Sequence, residues 1–274
     1  MHTEEAVAQY ARQDELSPPE KTLLNLLAPS ARNRPILDIG VGGGRTVKAL
    51  TAISEDYVGV DYSREMIEVC AKRFSNRRFE YADARALSRF VDGSFFLVCF
   101  SCNGIGMVNH HDRLRILNEV LRVLVPGGAF LFSTHNRNSP EFDGAFRFPS
   151  FERTMNPAKA LVRGARFLGN TIERVKNRRK HKPLEVIETE YAVLNDECHN
   201  YGTLLYYISL EAQRRQLVEV GFEHDAIACD LSGAIIEDDS RDHSILLSAR
   251  KPLLTRDAMR RISTVPPPPP NTNR

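Results

Sequence analysis

Short apolar runs alternate with helix-period segments along the first half of the chain. Ile36 to Ile39, Tyr57 to Val60, Phe79 to Ala82, Phe95 to Phe100 and Ala129 to Thr134 read as strands. Between them, Arg45 to Ile53 spaces Val47, Leu50 and Ile53 at helical intervals, and a second helix is predicted from Arg64 to Phe74. A third, Asp112 to Leu124, carries Leu114, Leu117, Val120, Leu121 and Leu124, and Pro126-Gly127-Gly128 stops it. Phe95 to Phe100 is apolar at every position, as a strand buried on both faces must be. Strands alternating with helices over residues 36–134 predict a doubly wound, Rossmann-like α/β fold: a parallel sheet with helices on both faces.

The polar punctuation at the strand ends carries the candidate chemistry. After the first strand comes Asp38-Ile39-Gly40-Val41-Gly42-Gly43-Gly44-Arg45, in which Gly40, Gly42 and Gly44 permit a tight turn and close ligand approach. A dinucleotide G-x-G-x-x-G pattern would place its last glycine where Arg45 stands. Asp38, ahead of the glycines, suits a ligand with an ammonium group better than a pyrophosphate, and S-adenosylmethionine (SAM) is such a ligand. The second strand ends on Asp61, placed to accept hydrogen bonds from ribose hydroxyls, while Ser63 is the candidate helix cap. Asp83-Ala84 closes the third strand, where an acid and a backbone amide can meet an adenine ring. Ser101-Cys102-Asn103-Gly104 closes the fourth at the carboxyl edge where open α/β sheets bind ligands.

Taken together, Asp38 to Gly44, Asp61-Tyr62-Ser63, Asp83-Ala84 and Leu121 to Gly128 resemble a class I SAM-dependent methyltransferase. The resemblance covers roughly residues 34–136 and resumes at Gln216 to Phe222 and Ser244 to Arg250. It implies a seven-stranded sheet with an antiparallel last strand, and SAM as cofactor with S-adenosylhomocysteine as product. It adds Tyr62, Met66 and Ser101 to the cofactor-binding set. Within that frame the boundaries are an N-terminal helical segment (1–33), a SAM-binding core (34–136), an inserted substrate lid (137–209), the rest of the core sheet (210–254) and a proline-rich tail (255–274).

Composition narrows the partners. Lys+Arg 37 against Asp+Glu 35 gives no overall electrostatic footprint for nucleic acid. The polar start of the chain does not read as a signal peptide, and no apolar run approaches a membrane span. Those features predict a cytoplasmic protein, with its oligomeric state open. The five cysteines are scattered; Cys99 and Cys102 have a C-x-x-C spacing but read as core-filling thiols, and no disulfide framework or metal site is predicted. Five consecutive prolines predict an extended, disordered tail.

The insertion reads in three pieces. Phe142, Phe146, Phe148 and Phe151 crowd the first. The second is a helix over about 158–180, with Leu161, Ala165, Leu168, Ile172 and Val175 on one stripe and a basic opposite face over 159–182 expected to be the solvated one. The third alternates as two strands, Glu190 to Leu194 and Tyr201 to Ile208, around a polar turn. Methyl transfer to an alcohol or ammonium needs a base, and the candidates are His135 after the fifth strand and His199 in the lid turn, with Asn103, Tyr206 and Tyr207 as substrate contacts. His110-His111 are read as helix-entry residues. The resulting expectation is methylation at oxygen or nitrogen of a small metabolite, with anionic ones among the options. The alternatives are an RNA or protein methyltransferase docking through the basic helix, and a SAM-binding protein without turnover.

Overall fold

The computed structural model describes residues 15–140, 142, 146–150 and 154–253; Tyr10, which the sequence offers as a residue folding over the cofactor, Phe151 and the proline-rich tail lie outside them, as do the side chains of Cys198 and His199. The elements run α1 (Pro18–Ala31), β1 (Ile36–Ile39), α2 (Val47–Ile53), β2 (Tyr57–Asp61), α3 (Arg64–Arg73), β3 (Arg78–Tyr81), β4 (Phe95–Phe100), α4 (His110–Val123) and β5 (Leu124–Asn136). They continue with α5 (Pro157–His181), β6 (Val186–Ile187), β7 (Tyr191–Asn195), β8 (Leu204–Ile208), α6 (Leu210–Val220), β9 (Ile227–Cys229), β10 (Ile235–Ile236) and β11 (Ser244–Arg250).

The strand order is β10-β9-β11-β5-β4-β1-β2-β3. β3-β2-β1-β4-β5 are mutually parallel, and β11 runs antiparallel to both β5 and β9. The chain turns back on its own order at β1 and β4, and a crevice opens there at the carboxyl ends of the strands. Seven strands are expected and eleven are found among the described residues. The difference lies in β10, a two-residue pairing on β9, and in residues 137–209, whose β6-β7-β8 ladder joins the sheet where Tyr207 and Ile208 pair with His135 and Asn136. The fifth strand also starts earlier than its apolar run, since Leu124 already pairs with Phe95 and the ladder shifts register before Leu97.

Period-2 alternation divides the core between the two faces of the sheet. Ile36, Tyr57 and Leu97 pack with Leu23 and Leu27 of α1 and Leu50 of α2, whereas Leu37, Val58 and Val98 pack with Leu117 and Val120 of α4 and Leu217 of α6. His110 opens α4 beside its cap Asn109, so the helix-entry reading of that residue holds.

Residues 137–209 correct two expectations. Tyr201 does not begin a strand; it closes the 3-10 turn Cys198–Tyr201 in left-handed conformation, φ 59°. α5 forms with nearly the predicted limits, capped where Asn156 accepts from the Lys159 amide, and most of its cations are exposed as expected, but its apolar stripe also faces outward. Leu161, Leu168 and Ile172 are 77%, 62% and 68% exposed, while Arg174 and Arg178 turn inward. The helical period identifies a stripe without saying which way it points.

Candidate functional site

The glycine turn sits between β1 and α2, with Gly40, Gly42 and Gly44 at φ 65°, 52° and 88°. A Cβ on Gly44 would lie 2.6 Å from the Phe74 ring, so that position is fixed by the protein's own packing. A Cβ on Gly42 would meet nothing closer than the Gly40 carbonyl at 3.9 Å, which leaves its outer side open for ligand approach. The Gly42 amide donates to Asp61 Oδ2 (2.9 Å) and the Ser63 amide to Asp61 Oδ1 (2.8 Å). Asp61 thus ties the turn after β1 to the end of β2. The capping of α3 falls to Ser63, whose hydroxyl accepts from the Met66 amide (3.3 Å). Tyr62 is 60% exposed at the rim, and Met66 is buried.

Asp38 departs from its expected role. It is 1% exposed, and its Oδ2 accepts from Thr46 Oγ1 (2.6 Å) and the Tyr57 hydroxyl (2.8 Å). Burial pushes its pKa up to about 6 against the opposing effect of those hydrogen bonds. It braces the turn from inside and offers no surface to an ammonium. Asp83 is less enclosed, and its carboxylate is held by Arg85 (2.6 Å), whose hydrogen bonds keep its pKa below the usual range. Ala84 packs at the edge of the core beside it.

The crevice wall is built by a residue the sequence reading passed over. Glu20 takes both terminal nitrogens of Arg45 at 2.6 Å, and Arg45 also donates to Ser101 Oγ (2.9 Å) and Cys102 Sγ (3.0 Å). Burial alone would raise the Glu20 pKa, but Arg45 and Ser101 more than offset it and the net shift is downward. The available signal was Ser17-Pro18-Pro19-Glu20, a capping box that forms at the start of α1. Its link to Arg45 had no local signature. Cys102 corrects the reading of Cys99 and Cys102 as a core pair: Cys99 is buried, whereas Cys102 is exposed at the crevice.

A cavity of about 660 Å³ opens here, lined by Glu20, Arg45, Ser101, Asn103, Ser133 and Ser244 among others. Asn103 adopts φ 55°; its amide nitrogen Nδ2 donates to Ser244 Oγ (2.8 Å), and its Oδ1 is buried without a partner among the described residues. His135 adjoins it, with Nδ1 3.5 Å from Asn103 Nδ2 and its ring 5.3 Å from that of Tyr207. Burial pushes the His135 pKa down to about 4, with Asp196 acting in the opposite sense. The Tyr207 hydroxyl donates to Asp196 Oδ2 (2.5 Å), and Phe142 packs on the same ring.

Tyr206 cannot share that role. Strand alternation turns it to the other face of β8, where it is fully buried, hydrogen-bonded to His110 Nδ1 (2.8 Å) and stacked on Tyr191. The structure therefore joins Gly42 to Asp61 at the ends of β1 and β2, sets Ser101 and Asn103 on the cavity, and places His135 and Tyr207 next to Asn103. It places Asp38 and Tyr206 inside.

Residues 36–128 match the methyltransferase domain family. An uncharacterized methyltransferase, YcgJ, of Bacillus subtilis is 36% identical over 107 residues, covering 36% of this chain and 40% of its own. A demethylmenaquinone methyltransferase of Clavibacter sepedonicus is 39% identical over 114 residues, or 39% of this chain and 44% of its own. The chain thus spans about two-fifths of the length of these relatives. Among solved structures, a S-adenosylmethionine dependent methyltransferase from Mesorhizobium loti has the same fold, with TM-score 0.55 and 19% identity over 85% of this chain and 98% of that one.

Proposed function

We propose that this chain, with its methyltransferase domain over residues 36–128, transfers the methyl group of SAM to an oxygen or nitrogen of a small molecule. The observation that carries the reading is the adjacency of a strand-end cavity, through Asn103, to a half-buried histidine. The residues present fit SAM. The cavity volume lies in the usual range for small-molecule sites, the backbone at Gly42 is open, and Asn103 Oδ1 is a buried acceptor in want of a donor. Asp61 and Ser101 are the residues that would hold the ribose and the amino-acid end, with Asp83 and Ala84 at the adenine. Bound SAM supplies a methyl group already activated by its sulfonium charge.

The chain's own task is orientation, dryness and the fate of one proton. The β7–β8 ladder, with Tyr207 and Phe142, covers the end of β5 and leaves His135 only partly exposed to water. His135, neutral well below physiological pH, can take the proton that an alcohol or ammonium acceptor must lose. His199, in the turn between β7 and β8, is a second candidate by position. A small acceptor is supported by the relative named for demethylmenaquinone. The inward turn of Arg174 and Arg178 takes away two of the cations that an RNA docked along the basic helix would use.

The test is incubation with methyl-labelled SAM and a host extract, partitioned into small molecules, RNA, protein and lipid, with Asp61→Ala as control. Label in small molecules, lost in the control, is expected; label confined to RNA or protein overturns the small-molecule reading. With an acceptor in hand, His135→Ala should lower kcat by roughly 10²- to 10⁴-fold with SAM affinity unchanged. The wild-type rate should hold as pH falls from 8 to about 5 and decline as His135 protonates near 4. A rate unmoved in His135→Ala removes the base.

A further inference from the structure

α5 is built inside out. Its inner face is held by polar contacts: Arg174 donates to Asn200 Oδ1 (3.0 Å) and the Arg147 carbonyl (2.7 Å), Asn177 donates to the Asn200 carbonyl (2.9 Å), and Arg178 engages Glu185 (3.1 Å) and the Asn195 carbonyl. Its outer face is apolar, with Leu161 77%, Leu168 62% and Ile172 68% exposed, and Ala165 exposed between them. At about 100° per residue these four fall on one line along the helix. Arg179 continues the line two turns beyond Ile172, Lys176 and Lys180 lie to one side of it, and Arg166 is further round; all four cations are exposed. Glu173 is the sole acid in residues 159–182.

We infer that α5 is a docking face for an anionic membrane surface. A helix whose outward side combines a Leu/Ile stripe with Lys and Arg meets both layers of such a surface: the stripe enters the acyl boundary, and the cations pair with anionic headgroups. A second copy of the chain fits less well. Parallel two-fold packing of this face on itself would set Lys176, Arg179 and Lys180 against their own counterparts, and antiparallel packing would set them against a helix whose one acid is Glu173. A nucleic acid would engage the cations and leave the stripe in water. No helix among the described residues is long and apolar enough to cross a membrane, so the contact is interfacial. The helix belongs to the same insertion as β7 and β8, which places the membrane contact on the segment that covers His135.

The experiment is flotation of the full chain on vesicles of phosphatidylcholine alone and of phosphatidylcholine with one quarter phosphatidylglycerol. Wild type should float with the anionic vesicles at least tenfold better than with the neutral ones, and salt should weaken it. Lys176→Glu/Arg179→Glu/Lys180→Glu should lose about fivefold per cation removed. Leu168→Gln/Ile172→Gln should lose tenfold or more, with an unchanged circular dichroism spectrum and thermal midpoint as the control for folding. The chain has no tryptophan, so Ile172→Trp provides a single reporter whose emission should shift to the blue on anionic vesicles. Absence of wild-type flotation, an apolar variant that floats like wild type, or self-association that the apolar substitutions abolish would each overturn the proposal. Flotation needs neither SAM nor an acceptor, so it is decided separately from the methyl-transfer reading.

Discussion

Two helices of this chain carry the same kind of apolar stripe and use it in opposite ways. α4 buries Ile116, Leu117, Val120 and Val123 to 2% exposure or less against the sheet. α5 exposes Leu161, Leu168 and Ile172 by more than half and fastens itself by arginine and asparagine. The contrast extends to the charged residues. The cation that α4 buries, Arg113, is wholly enclosed, and its network contains no carboxylate: it donates to Gln216 Oε1 (3.0 Å), the Ile105 carbonyl (3.1 Å), Thr134 Oγ1 (3.1 Å) and Gln213 Oε1, with the Tyr206 ring beneath it. A stripe is therefore a statement about one helix, and its direction is decided by what the neighbouring elements offer. Against α4 stands an apolar sheet; against α5 stands a turn of carbonyls and amides.

The sharpest test of that difference is at Arg113. Arg113→Met keeps the stem and removes the donors, leaving buried acceptors on Gln213, Gln216, Thr134 and Ile105 unmet. Relief of the charge's own burial, which already pushes its pKa down to about 10, offsets part of the cost. A net loss of roughly 4 kcal/mol in urea unfolding is expected. A loss below about 1 kcal/mol would mean that α4 is held by its stripe alone. Next in size is Leu117→Ala, at a fully buried position, expected to cost about 3 kcal/mol by the same measurement.

The sequence announced α4 more fully than α5, and the reason is physical. Where strands and helices alternate at short spacing, each helix has a sheet to cover and its apolar side must face it; β1 to β5, the turn at Gly42, Asp61 at a strand end and the Ser63 cap were all legible on that basis. Contacts between distant segments were not. Glu20 and Arg45 meet across 25 positions and His110 and Tyr206 across 96, and no local pattern predicts either. Asp38 fell on the wrong side of the turn because a carboxylate before glycines is equally a brace and a ligand. Tyr206 and Tyr207 were not separated, since both stand in one strand and only its register says which faces His135.

A smaller effect probes the inner side of α5. Arg178→Ala removes the link to Glu185 and the Asn195 carbonyl, but Lys182 still reaches Glu185 at 2.6 Å. The cost should be about 1 kcal/mol in global stability, with faster amide hydrogen exchange over residues 157–181. Unchanged exchange there would show that the polar face does not hold the helix down.

The smallest expected effect is the one that bears most directly on the comparison. Leu168→Ala trims a side chain of the same chemistry as Leu117→Ala, on a helix of the same amphipathic character, yet Leu168 is 62% exposed and Leu117 fully buried. Little apolar surface is returned to water, no cavity forms, and alanine is at least as good a helix former as leucine. The change in unfolding free energy should stay within about 0.5 kcal/mol, the range of ordinary surface substitutions. If Leu168→Ala instead costs as much as Leu117→Ala at low protein concentration, the stripe is packed within the folded monomer and the docking face is lost. If the cost grows with protein concentration, the stripe is a subunit contact. A stripe that is silent for stability in both conditions but lowers vesicle flotation is the outcome that separates an interfacial helix from a core one.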